Sequence, residues 1–263
     1  MKLLTLNCHS WQEEDQIEKI KYLAQTIKEK SYDVIALQEV NQLIEEEYVY
    51  KNVKSSNFAY ILLQELKKLE VTEYSLVWDS SNEIEEKYEE GLAILTKFPI
   101  VEEYSFYVSK VVDINNWKTR KIIGAKINYS NRPISFYSCH MGWWGDEEEP
   151  FKYHLDTLLQ NVNQVEQFFL LGDFNNSTQL EGEGYEYLLN QGLYDTYPLA
   201  REKDNGITVK GKINGWDNNK KDLRIDLILS NQAVKVDYSS VIFNGKNKAV
   251  ISDHFGVETK VVM

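Results

Sequence analysis

Short apolar runs recur along the chain, and they constrain its fold more than any other feature. They lie at residues 3–8, 34–37, 74–78, 91–95, 122–127, 134–139, 169–171, 225–229, 236–241 and 255–261. Each run has the length of a buried strand and is too short for a helix. A chain with so many short strands must bury them in sheets, and other elements must cover the outer faces of those sheets.

Helical spacing between the strands predicts that cover. Ile17, Ile20, Leu23, Ala24 and Ile27 follow a helical period, and we predict helices at residues 17–30, 58–69 and 152–168. No linker rich in glycine, serine or proline divides the sequence. The sequence therefore predicts a single α/β domain, residues 1–263, in which two sheets pack together with helices outside.

The charge balance bears on the partners of the chain. It has 41 acidic and 29 basic residues, a net charge of −12, and no basic run of the kind that contacts nucleic-acid phosphates. Nucleic acid is therefore the less favoured partner, although a bound cation can make a site on an acidic protein locally positive. The acidic stretches at residues 45–47, 85–90 and 146–149 are interpreted as solvated loops or helix faces.

The cysteines and the N-terminus indicate the compartment. The 2 cysteines, Cys8 and Cys139, each lie in an apolar stretch and are interpreted as reduced, buried side chains. The apolar run at residues 1–7 is too short for a signal peptide, and no stretch approaches the roughly 20 apolar residues that cross a bilayer. We predict a cytoplasmic protein with no membrane partner, and its oligomeric state stays open.

Polar side chains suited to chemistry follow or interrupt several of the apolar runs. They are Glu39, His140, Asp173, Asn175, Asp226, Asp253 and His254. One such acid alone usually reflects turn chemistry at a strand end. A carboxylate beside a buried run nevertheless needs a cation or a hydrogen-bond partner. So many in one chain therefore indicate a shared functional site.

The residue types at this site suit phosphoester hydrolysis. The oxygen ligands of Asn7, Glu39, Asp173 and Asn175 favour a hard ion such as Mg²⁺ or Mn²⁺ over zinc. Such an ion neutralises charge that develops on phosphoryl oxygens. A carboxylate can deprotonate water, and a histidine held by an acid can stabilise the transition state. We predict a metal-dependent phosphoric ester hydrolase with Mg²⁺ or Mn²⁺ as its cofactor.

Ordered motifs resemble those of the endonuclease/exonuclease/phosphatase superfamily, which includes DNase I, exonuclease III, neutral sphingomyelinases and inositol polyphosphate phosphatases. The motifs are Gln38-Glu39, Gly172-Asp173-Phe174-Asn175, Ile225-Asp226 and Ser252-Asp253-His254. Asn7, residues 91–96 and His140 also match, so the resemblance covers nearly the whole chain. It implies a DNase I-like four-layer α/β sandwich, in which helices flank two packed, mostly antiparallel sheets and the site lies at one edge.

The resemblance implies roles for the residues on the metal side of the site. Glu39 is the principal metal ligand, helped by Asn7, and Asp253 lies beside the metal. Asp173 orients or deprotonates the attacking water. Asn175 holds the phosphate or that water.

It also implies roles on the phosphate side. His254 contacts the scissile phosphate and is oriented by Asp226, and His140 is a second histidine on this side. Arg120 matches a basic position of the family loosely, and a solvated surface arginine is the alternative.

Departures from the pattern narrow the branch. His9 occupies the position at which apurinic endonucleases have an aspartate, and those enzymes have no histidine that matches His140. The chain resembles a cytosolic branch of Gram-positive bacteria that includes maltose-6'-phosphate phosphatase. That similarity rests on Leu-Asn-Cys-His-Ser-Trp-Gln-Glu at residues 6–13, Glu-Gly-Leu-Ala-Ile-Leu-Thr at 90–96 and His-Met-Gly-Trp-Trp at 140–144.

Trp143 and Trp144 bear on the substrate because they follow the predicted phosphate-side histidine. Sugars and nucleobases both have faces that pack on such rings, but the adjacent acidic run repels a polyanion more than a sugar with one phosphate. Each tryptophan alone also has the simpler interpretation of core packing. We predict a small phosphomonoester such as a sugar phosphate, with maltose-6'-phosphate as one candidate. Arg120, Trp143 and Trp144 are the predicted substrate-binding residues, and Trp11 and Trp216 are further candidates for the same cleft.

Other functions remain as alternatives. A Mg²⁺-dependent nuclease acting on DNA or RNA would need a basic strip beside the cleft. A sphingomyelinase-like phosphodiesterase would use the Trp143-Trp144 loop at a lipid surface. A non-catalytic module would have lost a metal or phosphate residue, whereas the predicted set is intact.

Overall fold

The computed structural model of the protein describes residues 1–213 and 215–263. Its helices are α1 (Gln16–Lys30), α2 (Phe58–Lys68), α3 (Phe151–Asn161), α4 (Gly184–Asn190) and α5 (Thr196–Leu199). Its strands are β1 (Lys2–Asn7), β2 (Val34–Gln38), β3 (Gln42–Leu43), β4 (Tyr48–Tyr50), β5 (Val53–Lys54), β6 (Ser75–Ile84), β7 (Tyr88–Thr96), β8 (Ile100–Tyr107), β9 (Lys121–Tyr129), β10 (Arg132–His140), β11 (Gln167–Asp173), β12 (Tyr194–Asp195), β13 (Ala200–Lys203), β14 (Val209–Lys210), β15 (Asp222–Leu223), β16 (Asp226–Ser230), β17 (Lys235–Ile242) and β18 (Gly256–Val262).

The first sheet has eight strands. Seven of them run in the order β13-β17-β18-β1-β2-β7-β3, and β6 also pairs with β7. Within the described residues, β1 is parallel to β2 and β13 is parallel to β17, and the other pairings are antiparallel. The parallel pair β1 and β2 lies in the middle of the sheet, so the carboxyl ends of both strands reach the same edge.

The second sheet has six strands in the order β12-β16-β11-β10-β9-β8. Its parallel pair is β10 and β11, and its other described pairings are antiparallel. Ser130 and Asn131 join β9 to β10 with φ angles of 49° and 62°. A two-residue turn with positive φ at both positions matches the twist of antiparallel strands.

The two sheets pack face to face and enclose a buried cluster that includes Leu3, Ile94, Phe136 and Leu171. Helices α1 and α2 cover the outer face of the first sheet, and α3 and α4 cover the outer face of the second. The arrangement is a four-layer α/β sandwich of mostly antiparallel sheets, as predicted. Among the described residues, no helix combines the length and the apolar character that crossing a membrane requires.

The predicted helix at residues 152–168 was too long. Helix α3 ends at Asn161, and Val162 is already extended, with φ −98° and ψ 149°. The side chain of Asn163 then accepts a hydrogen bond from the backbone N–H of Val165 at 3.0 Å, which is a local turn that competes with helix. Apolar residues at 162, 165 and 168 extended the helical pattern, but Phe168 belongs to β11. Strand β8 and helix α4 were not predicted at all.

Candidate active site

The predicted site residues lie at one edge of the sandwich, where strand ends of the two sheets meet. Asn7 ends β1, and Glu39 directly follows β2. In the second sheet, His140, Asp173 and Asp226 lie side by side on the neighbouring strands β10, β11 and β16. The Nδ2 atom of Asn7 is 2.8 Å from Oε1 of Glu39 and 3.3 Å from Oδ2 of Asp173. Asn7 therefore connects the polar edges of both sheets.

Contacts below the site hold these edges together. Gln38 of β2 donates through Nε2 to Oγ of Ser138 on β10 at 2.9 Å, and that hydroxyl donates to the carbonyl of Leu37 at 2.9 Å. Within the second sheet, a Cβ atom at Gly172 would overlap the carbonyl oxygen of Cys139. Only glycine fits this close approach, and the next residue pair on the same strands is His140 and Asp173.

Asp173 is the centre of the cluster. Its Oδ1 accepts a hydrogen bond from the backbone N–H of Asn175 at 2.8 Å. Its Oδ2 lies 3.8 Å from Nε2 of His140 and 3.7 Å from Nε2 of His254. Burial raises the pKa of Asp173 to about 7; the nearby Asp226 and Glu39 act in the same direction, and His254 opposes them. The side chain is positioned to exchange a proton near neutral pH.

His254 and Asp226 form a buried pair. Nδ1 of His254 lies 3.0 and 3.2 Å from the two carboxylate oxygens of Asp226, so Nδ1–H donates to the acid and Nε2 faces Asp173. This contact fixes both the tautomer and the orientation of the ring. This contact has the geometry that the predicted role of Asp226, orienting His254, requires.

The two histidines differ in their protonation. Burial disfavours the charged form of His254, but Asp226 and Asp173 outweigh that effect and raise its pKa well above the ordinary value. Burial, together with Arg120 and His254, lowers the pKa of His140 well below the ordinary value. The charged form is therefore favoured at His254 and disfavoured at His140, the two imidazoles that flank Asp173.

Both side-chain amide atoms of Asn175 are hydrogen-bonded. Its Nδ2 donates to the carbonyl of Met141 at 3.0 Å, and its Oδ1 accepts from Nε1 of Trp216 at 2.9 Å. Asn175 has φ 50°, a left-handed conformation that asparagine adopts more easily than most residues. Trp216 therefore acts beside the site by fixing Asn175.

Carboxylate oxygens gather on the side where the metal is predicted. Glu39 and Asp253 both line the cleft. Burial raises the pKa of Glu39, and the charge of Asp253 raises it further. Two carboxylates that resist ionising together are stabilised by a cation. Glu39 has φ 50°, and such backbone conformations of non-glycine residues concentrate at functional sites.

His9 and Asn7 complete this side. Nδ1 of His9 lies 2.8 Å from Glu13 and 3.8 Å from Asp253, so His9 stays near the predicted metal position. Oδ1 of Asn7 accepts from the backbone N–H of His9 at 3.1 Å, while Nδ2 faces the two carboxylates. In this geometry Asn7 orients Glu39 and Asp173, and its direct bond to a metal stays a prediction.

A cleft of about 420 Å³ opens from the cluster. Arg120, Trp143 and Trp117 belong to its walls. Arg120 is 5% exposed and donates to the carbonyl of Trp117 at 2.6 Å, so the surface-arginine interpretation is wrong. Sequence reasoning missed Trp117, which lies in a polar loop with no apolar period to mark it.

Trp144 and Trp11 lie outside the described walls of the cleft. The ring of Trp144 packs against Phe151 and Tyr187, with ring centroids 6.5 and 5.6 Å away. Trp11 packs on the layer of α1 and α2 and donates to the carbonyl of Asn41 at 3.1 Å. Only the first residue of the Trp143-Trp144 pair therefore faces the cleft.

Glu90 is a cleft residue that the sequence interpretation placed in a solvated stretch. Residues 85–87 do form an exposed turn, but Glu90 lies within β7, is 9% exposed and lines the cleft. Burial raises its pKa to about 8, with Glu39 adding to the rise and Arg120 opposing it. Glu90 is the first residue of the motif at residues 90–96, and this motif is the signal that could have identified it.

Glu149 is likewise buried, although the stretch at 146–149 was interpreted as solvated. Its carboxylate accepts backbone N–H bonds from Lys110 and Val111 at 2.8 and 2.7 Å. It also lies 3.1 Å from Nε2 of His154, whose Nδ1 accepts from the N–H of Gly142 at 3.2 Å. These bonds fix the loop that carries Trp143 against helix α3.

His154 makes stability depend on pH. Burial is the main reason that its pKa is lowered to about 4; Arg120 also lowers it, and Glu149 opposes the shift. The unfolded chain binds a proton near pH 6.5 and the folded chain does not, so stability falls as pH decreases from about 6.5 to 4. We expect about 2 kcal/mol of this loss between pH 7 and pH 5.

The check is urea unfolding of the wild type and His154→Gln at both pH values. Other titrating groups are common to both proteins and cancel in the difference. An equal loss of stability in the two proteins would show that His154 contributes nothing.

Facing sheets with an acid–histidine cluster at their shared edge, and paired carboxylates beside it, define the class as a metal-dependent phosphoester hydrolase. The sequence model described as the Endonuclease/Exonuclease/phosphatase family matches residues 5–254. The chain belongs to this family.

Solved structures agree. The endonuclease/exonuclease/phosphatase family protein from Leptotrichia buccalis C-1013-b is 44% identical, with a TM-score of 0.94 and 100% of each chain covered. A mannosyl-6-phosphatase from Bacteroides thetaiotaomicron VPI-5482 is 19% identical, with a TM-score of 0.71 and 100% of each chain covered. Truncated Caenorhabditis elegans TDP2 is 15% identical at a TM-score of 0.65, covering 100% of this chain and 97% of that one. The last two share the fold alone. No curated protein matches this chain.

Proposed function

We propose that this chain, as one domain of residues 1–263, is a Mg²⁺- or Mn²⁺-dependent phosphatase of small phosphomonoesters, with sugar phosphates as the substrate class. The observation that carries the proposal is the charge of the cleft beyond the catalytic cluster. Glu85 and Asp217 line it, and among its described lining residues Arg120 has the one permanent positive charge. A small neutral group with one phosphate fits such walls, whereas a polyanion is repelled by them.

The chemistry assigned to each residue follows from its position. Asp173, between both histidines, holds and deprotonates the attacking water. Nε2 of His254 donates to an oxygen of the scissile phosphate, with the ring held by Asp226. The Nδ2 atom of Asn175, which bonds to the carbonyl of Met141 in this structure, is assigned to the side that faces that phosphate. His140 lies opposite His254 and contacts the same group.

The metal-side residues fit a hard divalent ion. Glu39 and Asp253 supply carboxylate oxygens, which Mg²⁺ and Mn²⁺ prefer as ligands. When bound, such an ion offsets the charge that develops on the phosphoryl oxygens. Asn7 keeps Glu39 in place through its 2.8 Å contact.

Arg120 supplies binding of the substrate phosphate. Its guanidinium is buried, and burial lowers its pKa, while the charges of Glu90 and Glu39 oppose that change. A desolvated guanidinium next to a cleft attracts a phosphate more strongly than an exposed one would.

The test is a phosphate-release screen with Mg²⁺ and with Mn²⁺. Substrates are sugar phosphates including maltose-6'-phosphate and mannose 6-phosphate, nucleotides, sphingomyelin vesicles and supercoiled plasmid. We expect phosphate from the sugar phosphates, none in EDTA, and an intact plasmid. Asp173→Ala serves as the blank for contaminating phosphatases.

Each other outcome points to a defined alternative. Metal-dependent plasmid nicking that Asp173→Ala abolishes, without sugar-phosphate turnover, would overturn the proposal in favour of a nuclease. Release of phosphocholine from vesicles would indicate a lipid phosphodiesterase. A protein that binds neither ion by calorimetry and turns over no ester would be a non-catalytic module.

A further inference from the structure

Some residues that line the cleft have buried hydrogen-bond donors that lack partners among the described residues. They are Nδ2 of Asn82, Nε of Arg120 and Nε1 of Trp143, and all three residues line the same cleft. Buried polar groups in folded proteins are nearly always paired, and an unpaired one is destabilising. Their concentration along one wall indicates a ligand that offers several acceptor oxygens.

An aromatic corner lies on this wall. The rings of Trp117 and Trp143 meet edge to face, with centroids 6.1 Å apart and an angle of 63° between the planes. Trp117 is 54% exposed, which leaves much of its surface open to a ligand. A flat or puckered ring with an apolar face packs on such a surface.

The two loops that form the corner are fixed to each other. Lys118 binds Asp146 at 2.8 Å and Glu148 at 2.8 Å, which joins the Trp117 loop to the Trp143 loop. Asn176 accepts from the backbone N–H of Trp144 at 3.0 Å and donates to the carbonyl of Gly142 at 3.1 Å. Trp143 is therefore held relative to Asn175, the neighbour of Asn176, and the corner needs little ordering when a ligand binds.

Gly215 fits against the other side of this corner. It has φ 79°, and a Cβ atom there would lie 2.7 Å from Cζ2 of Trp143. A side chain at this position would displace the indole, so the loop at Gly215 and the ring of Trp143 fit as one surface.

We infer that Asn82, Trp117 and Trp143 form the subsite for the leaving group of the substrate, and that this group is a neutral, polyhydroxylated ring. Nδ2 of Asn82 and Nε1 of Trp143 donate to its hydroxyl oxygens, and its C–H face packs on Trp117. The inference rests on the proposed phosphatase function and adds the residues that choose among phosphomonoesters. A nucleoside di- or triphosphate or a nucleic-acid strand fits less well, because it brings further anionic oxygens toward Glu85 and Asp217.

The test compares three esters that share the phosphate and differ in the leaving group. A hexose 6-phosphate offers a ring face and hydroxyls, phenyl phosphate offers a ring face alone, and glycerol 1-phosphate offers hydroxyls alone. Trp143→Phe removes the N–H donor and keeps an aromatic ring of smaller size. In Asn82→Ala, Ser81 keeps the carbonyl of Glu90 as its acceptor at 3.2 Å. Trp117→Ala removes the exposed ring.

We expect Trp143→Phe and Asn82→Ala to lower kcat/KM about 5- to 10-fold for the hexose and glycerol esters and less than about twofold for phenyl phosphate. Trp117→Ala should lower it about tenfold or more for the hexose and phenyl esters and leave glycerol phosphate unchanged. Trp144→Phe, on the same loop but packed against Phe151, is the matched control and should change none of them.

Losses of equal size for all three esters would overturn the subsite while leaving the phosphatase function intact. Absence of phosphate release from every ester in the wild type would instead overturn the proposed function. Calorimetry with Asp173→Ala adds a reading without turnover: hexose phosphate should bind more weakly when Trp143→Phe is added, and equal affinity would contradict the inference.

Discussion

Asp173→Asn is expected to lower kcat by about 10³-fold or more while the protein folds normally. The substitution keeps the size of the side chain and an oxygen to accept the N–H of Asn175, which now bonds at 2.8 Å. It removes the carboxylate that lies between both histidines and can take a proton from water. Loss of a general base commonly lowers rates about 10²–10⁴-fold. The substitution also removes the carboxylate charge beside the phosphate site, and this lowers the rate further.

The stability of the same variant gives an independent reading. Burial, Asp226 and Glu39 raise the pKa of Asp173, so above its unfolded pKa the ionised acid destabilises the folded state. A neutral asparagine removes that destabilisation. In EDTA, the melting temperature of the variant should therefore be no lower than that of the wild type. Melting is followed by circular dichroism, and activity by phosphate release. Asp237→Asn, on β17, makes the same change of an acid to its amide outside the cleft and is the control for both measurements. A variant that retains a tenth of wild-type kcat would show that Asp173 is not the base.

Much of the fold could be predicted because burial sets the sequence pattern directly. Strand β2 is apolar at every position except its last and is buried throughout. The spacing of Ile20, Leu23 and Ile27 gave α1, because one face of that helix packs on a sheet. Strand β8 was missed because one of its faces is exposed and its sequence, Ile-Val-Glu-Glu-Tyr-Ser-Phe-Tyr, mixes charges with aromatics.

The site residues also fall into those that the sequence could identify and those that it could not. Residues at the ends of buried strands, such as His140 and Asp173, could be identified because a polar or charged group beside an apolar run needs an explanation. Trp117 and Glu149 could not, because their positions depend on which distant loops meet. Glu149 is buried by contact with Lys110 and Val111, which lie 39 and 38 positions away. Nothing in the local acidic run separates it from its exposed neighbour Glu148.

The pair of His254 and Asp226 predicts strongly non-additive effects on kcat. His254→Ala should lower kcat about 10²–10⁴-fold, because a group that stabilises charge on the phosphate is lost. Asp226→Asn should lower it about 10²-fold: an uncharged partner still accepts from Nδ1 but no longer favours the charged imidazole that its carboxylate contacts at 3.0 Å. The double variant should be no slower than His254→Ala alone, since Asp226 has nothing left to orient.

Asp195→Asn is the matched control for Asp226→Asn. Asp195 is also buried, but its carboxylate pairs with Arg224 at 2.6 Å. Removing that charge should lower the free energy of unfolding and leave kcat within a few-fold, because a broken buried ion pair affects folding and not the reacting atoms. Single-turnover rates of the two single variants and the double variant decide the question. If the losses multiply, Asp226 contributes to the reaction through a route that does not pass through His254, and the pair does not act as a unit.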